Sequence, residues 1–192
     1  MELWSWKDFL PDVVFHMRER DESLEGDNPF KWVRKTTGEL FGGKKVVIFG
    51  LPGAFTPTCT NEQLPGFDRL YQEFVDAGVD EIWCTSVNDA FSMYQWAKQL
   101  DIKNVKMLPD GNGEFAEELG VVVKKNNLGF GKRSWRHAVI VNDLEIVKRI
   151  EEDGLRDNCP TDPYENTTPE NILSLVRKIS GESRQMQLNF GV

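Results

Sequence analysis

The chain has 192 residues, 40% of them hydrophobic. That is enough for one buried core and too little for two comfortable ones, so residues 1–192 read as a single domain. A net charge of -8 argues against nucleic acid or an anionic membrane as the main partner, since either favours a basic face.

The start, MELWSWKDFLPDVVFHMRERDES, mixes acids and bases and carries no apolar core segment, so no signal peptide is expected. The longest uncharged run, 46–61, holds two prolines and two glycines and falls short of the ~20 apolar residues a membrane span needs. A cytoplasmic or organelle-lumen location is expected. Cysteine is sparse and odd in number: Cys59, Cys84 and Cys159, with no C-x-x-C pair and only two histidines, His16 and His137. This fits neither a secreted disulfide framework nor a zinc site or a thioredoxin-type dithiol.

Along the chain, apolar runs alternate with helical patterns. KVVIFG (45–50) is continuous and β-branched, as in a strand buried on both faces. Leu64, Phe67, Leu70, Tyr71, Phe74 and Val75 then follow amphipathic-helix spacing, with Pro65 expected to kink or delay the helix start. EIWCTSV (81–87) predicts a second strand. The helix after it, 88–100, has Asn88 or Asp89 as cap and Phe91, Tyr94, Ala97 and Leu100 facing inward. VKML (105–108) predicts a third strand, ended by PDGNG, and EFAEELG a short helix stopped at Gly120. NNLGFGKRSW reads as a loop. HAVIV and EIVKRI read as a hairpin. The last helix starts at TTPENILSLVRKI with Thr168 as cap and Pro169 in the first turn; the tail from about 180 has weak periodicity and is expected to be partly disordered. The order predicts an α/β fold, a central mixed sheet flanked by helices, in which sites lie where strands hand over to helices.

Cys59 sits at such a junction, in LPGAFTPTCT (51–60). The first turn of a helix presents free N–H groups and positive potential, which favours a thiolate. The dipole alone supplies roughly 0.3–1 kcal/mol, so a strong effect needs an arginine or lysine from elsewhere. Thr56 can place a hydroxyl beside the sulfur, and Pro52 and Pro57 stiffen the approach and remove backbone donors. The alternative is a cysteine buried as a small hydrophobe, which is the reading for Cys84 in mid-strand.

PGAFTPTC, with Pro52, Thr56 and Cys59, resembles the P-x-x-x-T-x-x-C signature of peroxiredoxins. NPFKW (28–32), KKVVIFGLPGAFTPTCT (44–60), LPGF (64–67), DEIWCTSVNDAFSMYQWAK (80–98), PDGNGEF (109–115) and LGFGKRSWRHAVIV (128–141) extend the resemblance to about Ile179. They are similar to the atypical, type-five-like branch, related to the peroxiredoxin half of bacterial peroxiredoxin–glutaredoxin hybrids. With no C-P-x-C or C-x-x-C in the sequence, no glutaredoxin domain is expected. The resemblance implies a thioredoxin-like fold and a thiol peroxidase without metal or organic cofactor. Cys59 would attack peroxide and become a sulfenic acid, Thr56 would hold the peroxide, Pro52 would screen the sulfur, and the cation would be Arg136 in WRHAVIV. On spacing alone Arg136 reads as a surface charge at a strand end, with Arg133 and Lys132 close by. Relatives often carry histidine where Gln63 stands, which puts a hydrogen-bond role there in doubt.

The resemblance also implies a thiol reductant. Cys159, in DGLRDNCPTDPY, lies about where two-cysteine relatives place a resolving cysteine, which would suit thioredoxin; DPYENTTPENI is similar to relatives reduced by glutathione and glutaredoxin. The Gly, Pro, Asp and Asn of EDGLRDNCPTDPYEN predict an exposed loop. A homodimer is implied, through surfaces that here carry Phe55 and Phe91, both of which read alternatively as core. Competing classes are a redox-idle chaperone or binding module, opposed by the intact Pro52, Thr56, Cys59 and Arg136 set, and a disulfide reductase, opposed by the absence of C-x-x-C.

Overall fold

The computed structural model describes residues 8–26 and 29–190. Residues 1–7 of the start, Asn28 of NPFKW and residues 191–192 of the tail lie outside them. The chain opens with an antiparallel pair, β1 (Val14–Arg20) and β2 (Phe30–Thr36), running into a short helix, α1 (Thr37–Phe41). Thr36 and Glu39 form a reciprocal capping box at its start. The sequence patterns above did not reveal this hairpin, because its strands are only partly buried and rich in charge.

The central sheet has the order β5–β4–β3–β8–β9: Lys106–Pro109, Glu81–Ser86, Lys45–Gly50, His137–Asn142 and Glu145–Glu151. β3 pairs in parallel with β4 and antiparallel with β8, which makes the sheet mixed, as expected. β8 turns into β9 through Asp143 and Leu144, both at positive φ, the signature of a tight two-residue hairpin turn. NNLGFGKRSW is not all loop: its end forms β7 (Lys132–Ser134), paired with β6 (Val122–Lys124).

Alternation along β3 divides the core in two. Val47 and Phe49 face one apolar cluster with Cys59, Phe67, Phe74, Met93, Trp96 and Ile172. Val46 and Ile48 face the other, with Phe15, Phe41, Phe115, Trp135 and Cys159. The first cluster is roofed by α2 (Leu64–Arg69), α3 (Tyr71–Asp76), α4 (Ala90–Gln99) and α6 (Pro169–Phe190); α5 (Glu114–Glu118) lies on the second side.

Two expectations need correction. The inward residues of α4 are Ala90, Met93 and Trp96, whereas Phe91 and Tyr94 are exposed. The aromatics suggested a stripe one position too far along, because Trp96 fills the core and its Nε1 donates to Thr60 Oγ1 at 3.1 Å. Helix α6 does not stop near Ile179 but continues to Phe190. Asp89, not Asn88, caps α4, accepting from the N–H groups of Phe91 and Ser92.

Candidate functional site

β3 ends at Gly50, and Leu51 and Pro52 carry the chain, buried, to a tight turn. The turn is braced from β4: Ala54 N–H donates to Asn88 Oδ1 at 2.9 Å, which also accepts from Ser86 Oγ at 2.8 Å. Phe55 takes a positive φ of 66°. The Thr56 hydroxyl donates to Gly53 O at 2.8 Å, and Thr56 O accepts the first helical bond, from Thr60 N–H at 2.9 Å. The helix therefore opens immediately after Thr56, with Cys59 in its first turn.

Residues Cys59–Gln63 form a π-helical turn in which Leu64 N–H reaches Cys59 O. Pro65 explains it. A proline there has no N–H for the carbonyl of Asn61 and its ring crowds that carbonyl, so the turn widens. The kink expected near Pro65 takes this form. It leaves Cys59 and Gln63 one turn apart, both fully buried.

Arg136, the residue before β8, reaches both. Its Nη1 lies 3.4 Å from Cys59 Sγ and donates to Gln63 Oε1 at 2.6 Å. Nη2 meets Asp162 Oδ1 at 2.6 Å and Nε donates to Pro163 O at 3.0 Å. Tyr164 places its ring 5.4 Å from the guanidinium carbon, and burial, ahead of the neighbouring charges, pushes its phenol up. The guanidinium is 1% exposed. Burial opposes its charge, yet the neighbouring Cys59 and Asp162 raise its pKa above the ordinary arginine value. A buried cation is tolerable only when its donors are used in this way.

The other two cations near in sequence are engaged elsewhere. Arg133 donates to Phe130 O and Val87 O, at 3.1 and 3.3 Å. Lys132 Nζ lies 3.8 Å from Glu117. A guanidinium against a sulfur in an apolar cluster can neutralise charge on a bound oxygen.

The hydrogen-bond role put in doubt at Gln63 is filled by its amide oxygen. Asp162, Pro163 and Tyr164 had no signal in the sequence beyond a loop rich in turn residues, because they reach Arg136 by the path of that loop and not by any periodicity. The loop is exposed as expected over 153–158 but buried at Glu152 and at Cys159, which is 4% exposed and sits in the cluster on the opposite sheet face from Cys59. Its sulfur lies 3.5 Å from Thr161 Oγ1, and hydrogen bonding from Thr161 lowers its pKa. Cys84 is fully buried in β4, and burial raises its pKa well above the ordinary thiol value.

Residues 33–166 match the family model described as Redoxin. A peroxiredoxin of Synechocystis is 54% identical over 168 residues, covering 88% of this chain and 89% of its own. A hybrid peroxiredoxin of Haemophilus influenzae is 42% identical, covering 87% of this chain and 64% of its own. Among solved structures, an antioxidant protein of Plasmodium falciparum described as a 1-Cys peroxiredoxin superposes with a TM-score of 0.82 at 32% identity, over 90% of this chain and 99% of that one. The mixed sheet described above is thus the thioredoxin-like sheet of these proteins. The likeness extends over nearly the whole chain and includes the strand-to-helix turn that holds Cys59 against Arg136: the chain belongs to the peroxiredoxins, the thiol peroxidases of the redoxin family.

Proposed function

We propose that Cys59 is the peroxidatic cysteine, acting with Thr56, Pro52 and Arg136, and that its oxidised form is reduced by glutathione with glutaredoxin. The observation that carries this reading is the contact of Arg136 Nη1 with Cys59 Sγ inside an apolar cluster. The thiolate attacks one oxygen of a hydroperoxide; an S–O bond forms, the O–O bond breaks, and sulfur loses two electrons to become a sulfenic acid. The departing oxygen leaves as hydroxide or alkoxide and takes up a proton. Arg136 offsets the charge that develops on the oxygens. The Thr56 hydroxyl proton points to Gly53 O, so its lone pairs are what it offers to the O–H of the peroxide. Pro52 is buried beside the turn and carries no N–H to draw water to the sulfur.

Glutathione thiolate then attacks the sulfenic sulfur, an S–S bond forms, the S–O bond breaks with hydroxide leaving and taking up a proton to give water, and a second thiol releases Cys59 by disulfide exchange. A disulfide needs Cα atoms within about 7 Å, and Cys159 belongs to the cluster on the far side of the sheet, which supports an external thiol. A second reading has Cys159 resolving Cys59 for thioredoxin. It is favoured by one observation: Asp162 and Pro163, on the Cys159 loop, bond directly to Arg136, so release of that loop would free Cys159 beside the site. Mass spectrometry after one equivalent of peroxide decides between them. A glutathione adduct on Cys59, with Cys159→Ser fully active in the glutathione system, supports the first; a Cys59–Cys159 linked peptide in the presence of glutathione overturns it.

The protein is further proposed to be a single-domain cytoplasmic homodimer. No helix among the described residues is long and apolar enough to cross a membrane. Phe55 and Phe91 are 50% and 47% exposed, and Trp32 stacks edge-on to Phe91 at 5.5 Å; an aromatic surface of this kind beside a site favours a protein partner. Sedimentation that finds only monomer at micromolar concentration would remove the dimer. A chaperone or binding module with an idle site is the reading left if the purified protein consumes no peroxide with any thiol.

A further inference from the structure

Behind Arg136 runs a second line of buried polar groups that the peroxide chemistry does not touch. Glu152, which follows β9, is 3% exposed. Its carboxylate accepts from the backbone N–H groups of Glu165, Asn166 and Thr167, at 2.8 to 3.1 Å, and from the Thr167 hydroxyl at 2.7 Å. Burial opposes its charge, but these donors hold its carboxyl below the usual range. Thr167 and Gln63 are both fully buried, and Gln63 Nε2 faces Thr167 Oγ1 at 3.5 Å, a long contact.

The direction of every bond in this line is forced. An ionised carboxylate only accepts, so the Thr167 hydroxyl must donate to Glu152. Its lone pairs are then what remain for Gln63, which must turn its NH2 toward Thr167. The amide oxygen is thereby left facing Arg136, where it accepts at 2.6 Å. The opposite amide orientation would set NH2 against guanidinium N–H, two donors with no acceptor, on two buried side chains. We propose that Thr167 and Glu152 are positioning residues for the peroxidase reaction, holding the Gln63 amide in the one orientation that keeps Arg136 Nη1 on the Cys59 sulfur. The proposal rests on the peroxidatic reading of Cys59 given above.

Thr167→Val tests it, because valine keeps the shape and the backbone N–H to Glu152 while deleting the hydroxyl. The Glu152 carboxylate keeps its backbone donors, so the loop stays anchored. The thiolate titration of Cys59, read by ultraviolet absorbance in a Cys84→Ser/Cys159→Ser background, is expected to move to higher pH. The rate with hydrogen peroxide at a fixed pH below the midpoint is expected to fall about tenfold, the equivalent of one unit on the titration axis. Thr167→Ser, which restores the hydroxyl, returns both to the parent values. In combination with Gln63→Met, Thr167→Val adds nothing further, because both act through one amide. A Thr167→Val protein that titrates like its parent overturns the proposal, as do losses that add across the two sites or a serine that fails to rescue. If valine does not fold, Thr167→Ala removes the same hydroxyl without bulk and is judged by the same criteria. A parent that consumes no peroxide overturns the peroxidatic reading alone, since the titration still judges the relay.

Discussion

The two faces of the central sheet each bury a cysteine, and the thiols meet different surroundings. On one face, Cys59 is enclosed by Phe67, Trp96 and Ile172 but keeps one polar contact, the Arg136 guanidinium. On the other, Cys159 lies among apolar side chains at the edge of an exposed loop, with the hydroxyl and backbone N–H of Thr161 as its polar neighbours. Cys84 shares the face of Cys59; burial first, and the charge of neighbouring Cys59 second, push its thiol up. Burial is common to all three, so it cannot be what makes a thiol reactive. What sets Cys59 apart is a buried guanidinium in direct contact with its sulfur.

The comparison breaks most completely at the sulfur. Cys59→Ser is expected to abolish peroxide consumption, whereas Cys84→Ser retains most of it; turnover by the Cys59→Ser protein would transfer the chemistry to another thiol. Next comes the cation. Arg136→Met should slow peroxide attack by roughly two orders of magnitude and shift the thiolate titration upward, and an unchanged titration would assign the effect to the helix start alone.

Smaller effects come from the row behind the site. Gly50 lies beside His137 in the β3–β8 register, and a Cβ at Gly50 would come within 2.0 Å of the buried imidazole Cε1. Gly50→Ala should therefore cost about 1–3 kcal/mol of stability through overpacking, measured by urea unfolding; a neutral substitution would mean the ring can step aside.

The last effect concerns acid. Burial lowers the pKa of His137 from 6.5 to about 4. The unfolded chain takes up this proton first, so stability is complete above pH 6.5 and declines as pH falls toward 4, by about 3 kcal/mol at most. Burial raises Asp110 from 3.8 to about 6. The folded chain protonates it first, so acidification between pH 6 and 3.8 favours the fold and offsets the histidine. Removing the opposing group in Asp110→Asn should steepen the loss of stability between pH 6.5 and 4, and an equal slope in parent and variant would show that the two groups do not oppose one another.

Much of the sheet and its flanking helices was legible because β-branched runs and apolar spacing follow directly from burial: the strand at 45–50 has the expected bounds, and the turn around Pro65 was marked by the proline itself. The N-terminal hairpin was hidden by its charged, half-exposed strands, and the inward face of α4 by aromatics on its outer side. Cys59, Thr56 and Pro52 stood out as a local motif. Arg136 needed the family resemblance, since nothing local links position 136 to position 59. Glu152, Gln63 and Thr167 meet only through tertiary folding, and a single sequence carries no periodicity that announces such a meeting.

The antiparallel pairing of β3 with β8 sets Gly50 opposite His137, and this has a consequence in time. Cys59 and Arg136 hang from the ends of those two strands, so they stay strangers until the long stretch of chain between them has folded back and the ladder has closed. Non-local pairings of this kind are late and slow to form. A chain still emerging from synthesis, or one whose β8 has come loose, therefore presents peroxide with a cysteine that has no cation beside it. On the role proposed for Cys59, the pairing of its sulfur with the guanidinium is thus acquired only at maturity.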